Sequence, residues 1–287
     1  MPAPTTIVEE LLYSVKRVEA TLQDGSLSVG TGYLCRIPHG ENQAIIFCVT
    51  NKHVTQGAKS IRLLMHTATI GKPGPDGGQA FIELSGAIFA PHPDDSVDLC
   101  ALAIAPAVTE WEKINSGKAL FYRVLDEENL YTQTQLDGLD ALEPVLMIGC
   151  PNGLWDERNG FPLIRRGVTA SHPAVDFNGA SEFALDIGVY SGSSGSPVFL
   201  FESGLIKQNK SENAFSPGLR FGLIGTLWGG PRINEKGQVQ IDSVPTSKQM
   251  TAEVGVRMHI GYAVKSTKTI ELFQEIKSQL GIPKNSS

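Results

Sequence analysis

Short apolar runs separated by glycine and proline limit what this chain of 287 residues can fold into. Runs such as GTGYLCRI, AIIFCVTN and DLCALAIA have the length of strands, and turn-forming sequences such as GKPGPDGGQ separate them. The 30 glycines and 17 prolines would interrupt long helices, whereas strands joined by tight turns accommodate them. Hydrophobic residues make up 41% of the chain, which is enough to build a large core. We therefore predict an all-β fold.

Two groups of predicted strands divide the chain into two lobes. The first group occupies residues 14–108 and the second occupies residues 144–264. The segment 109–143 has mixed charge and no long apolar run, so it is the predicted connection between the lobes. Apolar residues at helical spacing predict a short helix within 1–13 and another within 265–287.

Charge and composition exclude several classes of function. The 30 acidic residues outnumber the 24 basic ones, so a nucleic-acid binder, which needs a basic face, is not expected. No apolar run approaches the roughly 18 residues of a membrane span. The first residues also lack the apolar core of a secretory signal. The four cysteines lie in apolar runs without metal-binding spacing, so we expect free thiols in a cytoplasmic protein and no cysteine metal site.

The strongest indication of chemistry is the sequence Ser-Gly-Ser-Ser-Gly-Ser-Pro at 191–197, followed by the strand-like run VFLF. A serine between glycines can stand on a tight turn whose backbone N–H groups are available to an oxyanion. Ser194 would need an adjacent base, and His53, at the end of an apolar run, is the candidate. Asp98, which begins another strand-like run, would orient the imidazole and stabilise its charged form.

These segments together resemble the chymotrypsin-fold serine peptidases, and among them most closely the bacterial Deg/HtrA-type proteases and the glutamyl endopeptidases. The resemblance runs from about residue 14 to residue 280. The segments that carry it are GTGYLC, TNKHV, DLCALAI, IGCPNGL, RRGVTAS, GSSGSPVF, LIGTLWGG and HIGYAVKS. The resemblance implies two antiparallel six-stranded β-barrels with short N-terminal and C-terminal helices.

The resemblance also implies roles for individual residues. Ser194 would be the nucleophile, His53 the general base and then the general acid, and Asp98 the residue that orients the histidine. The backbone N–H groups of Gly192 and Ser194 would form the oxyanion hole. The implied reaction is hydrolysis of peptide bonds in protein substrates through an acyl-enzyme intermediate.

Three departures from the family pattern affect the expected biology. Val54 follows the histidine where many secreted relatives have a disulfide-bonded cysteine, which fits a reducing compartment. Ser193 stands where relatives activated by cleavage have an aspartate, so activation by N-terminal cleavage is not expected. The sequence that follows the last predicted helix is too short for a PDZ-like module.

The residues that would line the substrate pocket are Gly188, Val189, Leu227, Trp228 and Gly229. Gly188 stands six positions before the nucleophile, where cleavage after lysine or arginine would need an acidic residue. Asp186 lies two positions away, so a shifted alignment would restore such a residue. Leu227 stands where the glutamyl endopeptidases have a histidine. These differences predict an apolar or small P1 residue.

The sequence also leads to a hypothesis about regulation and to one alternative function. A cytoplasmic bacterial protease without a propeptide would be restrained by the order of a loop or by an activating or inhibitory protein partner. The segments 155–165, 206–219 and 231–255 are the candidate loops. A pseudopeptidase that binds peptides or proteins is the alternative function.

Two hydrolase classes fit the sequence poorly. An esterase of the α/β-hydrolase class would require glycine where Ser196 stands, and a helix where VFLF predicts a strand. A metal hydrolase would require a ligand motif such as H-E-x-x-H, which the sequence lacks.

Overall fold

The computed structural model describes residues 3–39, 43–84, 89–207, 210–211, 214–239, 250–257 and 259–282. The strands of the described residues are β1 (Val15–Leu22), β2 (Leu27–Pro38), β3 (Ala44–Thr50), β4 (Ala58–Thr69), β5 (Gln79–Glu83), β6 (Phe89–Pro91), β7 (Cys100–Ala103), β8 (Lys118–Phe121), β9 (Pro144–Gly149), β10 (Leu163–Thr169), β11 (Glu182–Asp186), β12 (Pro197–Ile206), β13 (Ser216–Gly229), β14 (Arg232–Val239), β15 (Met250–Arg257) and β16 (Ile260–Lys265). The helices are α1 (Ile7–Ser14), α2 (Lys52–Thr55), α3 (Ala105–Ile114), α4 (Gln133–Asp137) and α5 (Ser266–Gln279). Within the described ranges, no helix has the length and apolar character needed to cross a membrane.

The first lobe is an antiparallel sheet in the order β5–β4–β1–β2–β3–β7–β6, with β8 also paired to β4. Side chains on β2 alternate between its two faces, as the pleat of a strand requires. Leu34 packs in the core of the first lobe, whereas Tyr33 and Cys35 face a second core shared with the other lobe. Because both faces of β2 are covered here, residues 30–35 are buried without interruption.

The second lobe is a closed antiparallel barrel in the order β10–β11–β16–β13–β12–β9. Its interior contains alternate residues of β9 and β12, including Val145, Met147, Val198 and Leu200. The predicted all-β fold of two antiparallel lobes is confirmed, and six strands form the second barrel as predicted. In the first lobe eight strands pair instead of six, and β5 and β6 end the order among the described residues.

The terminal helices cover the shared core. A capping box begins α1, in which Thr6 Oγ1 accepts from the Glu9 N–H and the Glu9 carboxylate accepts from the Thr6 N–H. On α5, the apolar residues Leu272, Phe273 and Ile276 pack on the core between the two sheets. Both predicted terminal segments therefore contain a helix in the structure.

Three segments predicted to be irregular contain regular structure. The segment 109–143 includes β8, which pairs with β4, so part of that segment belongs to the first sheet. The segment 206–219 overlaps β13, which pairs with β12 as far as Ile206 and Ser216. The segment 231–255 contains most of the β14–β15 hairpin. Cross-strand backbone hydrogen bonds form these elements without the apolar alternation on which sequence prediction of strands depends.

Candidate active site

His53 and Asp98 meet where two neighbouring strands of the first sheet end. Strands β3 and β7 pair at Thr50 and Cys100, so the residue after one strand and the residue before the other are close. The His53 Nδ1 lies 2.5 Å from the Asp98 Oδ2, and the His53 backbone N–H donates to the Asp98 Oδ1 at 3.1 Å. The Asn51 amide donates to the Asp98 carbonyl at 2.6 Å. The carboxylate therefore faces the imidazole in a fixed orientation.

The charge of Asp98 is stabilised by its neighbours. Burial alone would raise the pKa of this carboxyl. The hydrogen bond from the imidazole, the charge of His53 and the backbone N–H groups of His53 and Lys52 outweigh burial, and the pKa lies below its usual value. An ionised carboxylate beside Nδ1 keeps a proton on that nitrogen, which leaves Nε2 of the neutral ring as a proton acceptor.

Residues 190–196, which we call the oxyanion turn, change direction sharply at Gly192. The Ser193 N–H donates to the Tyr190 carbonyl at 3.0 Å, and Gly192 has a φ of 82°, as the third residue of a type II turn requires. A Cβ at Gly192 would lie 2.5 Å from the Cys150 carbonyl oxygen. Glycine is therefore required here both by the backbone conformation and by the close approach of another chain segment.

Two backbone N–H groups of this turn are available as donors. The Asn152 N–H donates to the Ser191 carbonyl. Since a trans peptide directs its C=O and N–H to opposite sides, the Gly192 N–H points away from Asn152. No hydrogen-bond acceptor is found for the N–H of Gly192 or of Ser194 among the described residues. This is the arrangement of donors that a developing oxyanion needs.

Ser194 lies in the same cleft as His53, but its hydroxyl is directed elsewhere. A cavity of about 400 Å³ is lined by both residues. The Ser194 hydroxyl donates to the Trp228 carbonyl at 3.2 Å, and no hydrogen bond to His53 occurs among the described contacts. The structure thus brings the three predicted catalytic residues to one site and joins two of them directly. To donate its proton to the imidazole, the Ser194 hydroxyl has to give up its hydrogen bond to the Trp228 carbonyl.

Three of the five predicted pocket residues line this cleft. They are Val189, Trp228 and Gly229. Leu227 is fully buried instead, because its side chain faces the interior of the second barrel. Gly188 is not among the described residues that line the cleft. Its carbonyl accepts a hydrogen bond from the Arg165 Nη1 at 2.6 Å.

Two residues near the cleft were missed by the sequence analysis. Arg165 extends from β10 to the carbonyl of Gly188, which precedes the cleft residue Val189, and burial lowers the pKa of Arg165 to about 10. Its Nε and Nη2 atoms are buried without a hydrogen-bond partner in the described part of the chain. Asn152, with a φ of 52°, holds the Ser191 carbonyl. The Pro-Asn-Gly sequence signals the turn at Asn152, whereas nothing in the sequence marks Arg165.

Neither a metal site nor a disulfide is found in the described part of the chain. No three histidine, cysteine or acidic side chains there are placed to hold a metal ion. All four cysteines are buried as free thiols. Burial raises the pKa of Cys100 to about 12 and that of Cys150 to about 11, so both thiols stay protonated at neutral pH.

Comparisons with known proteins agree with the fold. No protein-family model matches the sequence, and no curated protein matches it significantly. The serine endoprotease from Yersinia pestis is similar in structure, with a TM-score of 0.51 and 14% identity, over 96% of this chain and 68% of that one. The chain has the trypsin-like protease fold.

Two further structures support the same fold. The HtrA-type protease AlgW, solved with a tripeptide, gives a TM-score of 0.50 and 16% identity over 95% of this chain. This chain spans only 62% of AlgW. The Rv3671c protease from M. tuberculosis, in its active form, gives a TM-score of 0.51 and 14% identity. That match covers 100% of this chain and 91% of Rv3671c. A trypsin-like fold hosts more than one function, so function has to be argued from the site.

Proposed function

We propose that the chain is a serine endopeptidase that hydrolyses protein substrates through an acyl-enzyme intermediate. The observation that supports this most strongly is the Asp98 carboxylate held 2.5 Å from the Nδ1 of His53, which lines one cleft together with Ser194. This arrangement leaves the His53 Nε2 as the base for the nucleophile. The N–H groups of Gly192 and Ser194, for which the described residues offer no acceptor, would supply the second requirement of acyl transfer.

In the proposed reaction the residues act one after another. The Ser194 hydroxyl turns from the Trp228 carbonyl to His53 and attacks the scissile carbonyl as the Nε2 takes its proton. The N–H groups of Gly192 and Ser194 stabilise the oxyanion, and His53 then protonates the leaving amine. Water, activated by the same histidine, hydrolyses the acyl-enzyme. This reaction uses no metal or organic cofactor.

Proteolysis of a peptide library tests the proposal. Ser194→Ala is expected to lower kcat by about 10⁶, and His53→Ala by a similar factor, because the two groups act as a unit. His39→Ala, which changes an exposed histidine of the first lobe, is the matched control and should leave the rate unchanged. A rate that survives in Ser194→Ala would contradict the proposed nucleophile.

The same library tests the P1 preference. Val189 and Gly229 line the cleft, and they support an apolar or small P1 side chain. Arg165 places a cation behind the Gly188 carbonyl and opposes a lysine or arginine at P1 by charge repulsion. Cleavage dominated by lysine, arginine or glutamate at P1 would overturn this preference.

The rotamer of Ser194 favours a second candidate function. A hydroxyl bonded to Trp228 rather than to His53 fits a latent protease, switched on by loop ordering or by a protein partner, and equally fits a pseudopeptidase that binds peptides. We place the protein in the bacterial cytoplasm, where its four free thiols would stay reduced. Turnover by the chain alone would exclude the pseudopeptidase, whereas peptide binding without turnover in any condition would support it.

A further inference from the structure

Thr31, on strand β2 of the first lobe, makes three hydrogen bonds to the neighbourhood of the oxyanion turn. Its backbone N–H donates to the Ser194 carbonyl at 2.8 Å. Its hydroxyl donates to the Gly192 carbonyl at 2.9 Å and accepts from the Cys150 N–H at 3.0 Å. Thr31 is fully buried, so water does not compete for these groups.

The Thr31 hydroxyl links two backbone segments of the second lobe. One is the oxyanion turn, and the other is the start of the loop between β9 and β10. That loop also holds the turn directly, because the Asn152 N–H donates to the Ser191 carbonyl. The carbonyls of Ser191, Gly192 and Ser194 are therefore all bound by donors outside the turn. Rotating the peptide that carries the Gly192 N–H would break the hydrogen bond from Asn152 to the Ser191 carbonyl, and rotating the peptide that carries the Ser194 N–H would break the hydrogen bond from the Ser196 N–H to the Ser193 carbonyl. The Thr31 hydroxyl binds the Gly192 carbonyl and so fixes the peptide that lies between these two.

Nothing at Ser193 substitutes for this support. The Ser193 side chain is fully buried, and its hydroxyl has no hydrogen-bond partner in the described residues. The side chain at the centre of the turn therefore contributes no polar contact that would fix the turn's conformation. The turn is held through its backbone, by residues of the first lobe and of the loop between β9 and β10.

Arg17 supports the same loop from the neighbouring strand. It pairs with Thr31 in the register of β1 and β2, so the two side chains lie on the same face. The Arg17 Nη1 donates to the Gly153 carbonyl at 2.6 Å, and its Nε donates to Glu19 at 2.7 Å. Gly153 follows Asn152, so Arg17 fixes the loop beside the donor that holds Ser191.

We propose that Thr31 is a positioning residue of the active site, whose hydroxyl holds the oxyanion turn in the conformation that exposes the Gly192 and Ser194 N–H groups. This proposal rests on the proposed function, because the oxyanion hole that Thr31 keeps in place belongs to the site of that reaction. Thr31 touches no substrate in this arrangement and acts only through the backbone of the turn.

The pair Thr31→Val and Thr31→Ser tests the hydroxyl while preserving the fold. Valine keeps the shape of threonine and leaves the Gly192 carbonyl and the Cys150 N–H unpaired, which should lower kcat about tenfold or more, with KM changed less than about twofold. Thr31→Ser retains the hydroxyl and should restore kcat. A kcat of Thr31→Val equal to that of the unmodified protein would overturn the proposal.

A matched control separates this effect from general loss of stability. The Thr169 hydroxyl is also buried, donates to the Ala141 carbonyl at 2.7 Å and accepts from the Glu143 N–H at 2.8 Å. Thr169→Val removes the same kind of link between residues outside the oxyanion turn, and should leave kcat unchanged. An equal loss of kcat in both valine variants would show a structural effect and overturn the proposal.

Hydrogen exchange gives a readout that does not depend on turnover. Amides of residues 190–196 and of Cys150, whose N–H loses its acceptor, should exchange faster in Thr31→Val than in Thr31→Ser, with the rest of the chain unchanged. If the unmodified chain shows no proteolysis but this difference appears, the proposed function fails and the positioning role stands. Equal exchange in the two variants would overturn the role of Thr31 even in an active protease.

Discussion

Replacing Asp98 by asparagine tests the role of the carboxylate with almost no change in volume. The His53 backbone N–H donates to the Asp98 Oδ1 at 3.1 Å, so the amide oxygen of the introduced asparagine would occupy that position. Its nitrogen would then face the His53 Nδ1, which lies 2.5 Å from the carboxylate oxygen in the present structure. An amide nitrogen only donates, so Nδ1 would have to accept and Nε2 would carry the ring proton.

An imidazole in that tautomer cannot take the proton of Ser194. In proteases with a Ser-His-Asp triad, replacing the aspartate by asparagine lowers kcat by a factor of about 10⁴, and we expect a similar loss for Asp98→Asn. The assay is steady-state hydrolysis of the best library peptide at pH 7. Asp95→Asn, which changes an exposed carboxylate three residues away, is the control and should retain full activity. A loss of less than about tenfold in Asp98→Asn would refute the assignment of the triad.

Two stability predictions follow from the backbone and the buried charges. Burial lowers the pKa of Lys16 from 10.5 to about 7. Between pH 7 and about 8, below the range in which the cysteines of the unfolded chain titrate, the unfolded chain binds more protons than the folded chain at this lysine, so the free energy of unfolding should rise with pH. In urea titrations, Lys16→Met should remove that rise and add up to about 5 kcal/mol at pH 7; a wild-type profile that is flat from pH 7 to about 8 would contradict this. At Gly195, with a φ of 85°, a Cβ would lie 1.9 Å from the Thr31 carbonyl oxygen, so Gly195→Ala should cost more than about 2 kcal/mol. Gly25→Ala, at a φ of 84° with open space around it, should cost less, and equal costs would refute the steric argument.

Much of the site could be predicted from the sequence because its chemistry depends on residue type and local context. A histidine after one strand and an aspartate before another can be recognised from apolar runs. A serine between glycines identifies a turn that exposes N–H groups. The structure places His53, Asp98 and Ser194 around one cleft, as those contexts predict. Their catalytic roles stay predictions until activity is measured.

The remaining features depend on contacts between segments that are distant in sequence. Thr31 binds Gly192 across 161 positions, and Arg17 binds Gly153 across 136, so neither contact has a local signal. Leu227 was predicted in the pocket from its place before the Trp-Gly-Gly sequence. The register of β13 turns its side chain into the barrel core instead. The sequences of β14 and β15 each contain polar residues, so either strand resembles a loop when it is considered without the other.

Fluorophosphonate labelling of the intact chain shows whether Ser194 is an activated nucleophile, because the reagent reacts with activated serines. The readout is the intact mass of the protein, with Ser194→Ala as the control. We expect one adduct per chain that is absent from Ser194→Ala and slower to form in Asp98→Asn. An adduct that persists in Ser194→Ala, or its absence from the unmodified chain under every condition that supports peptide binding, would contradict this expectation.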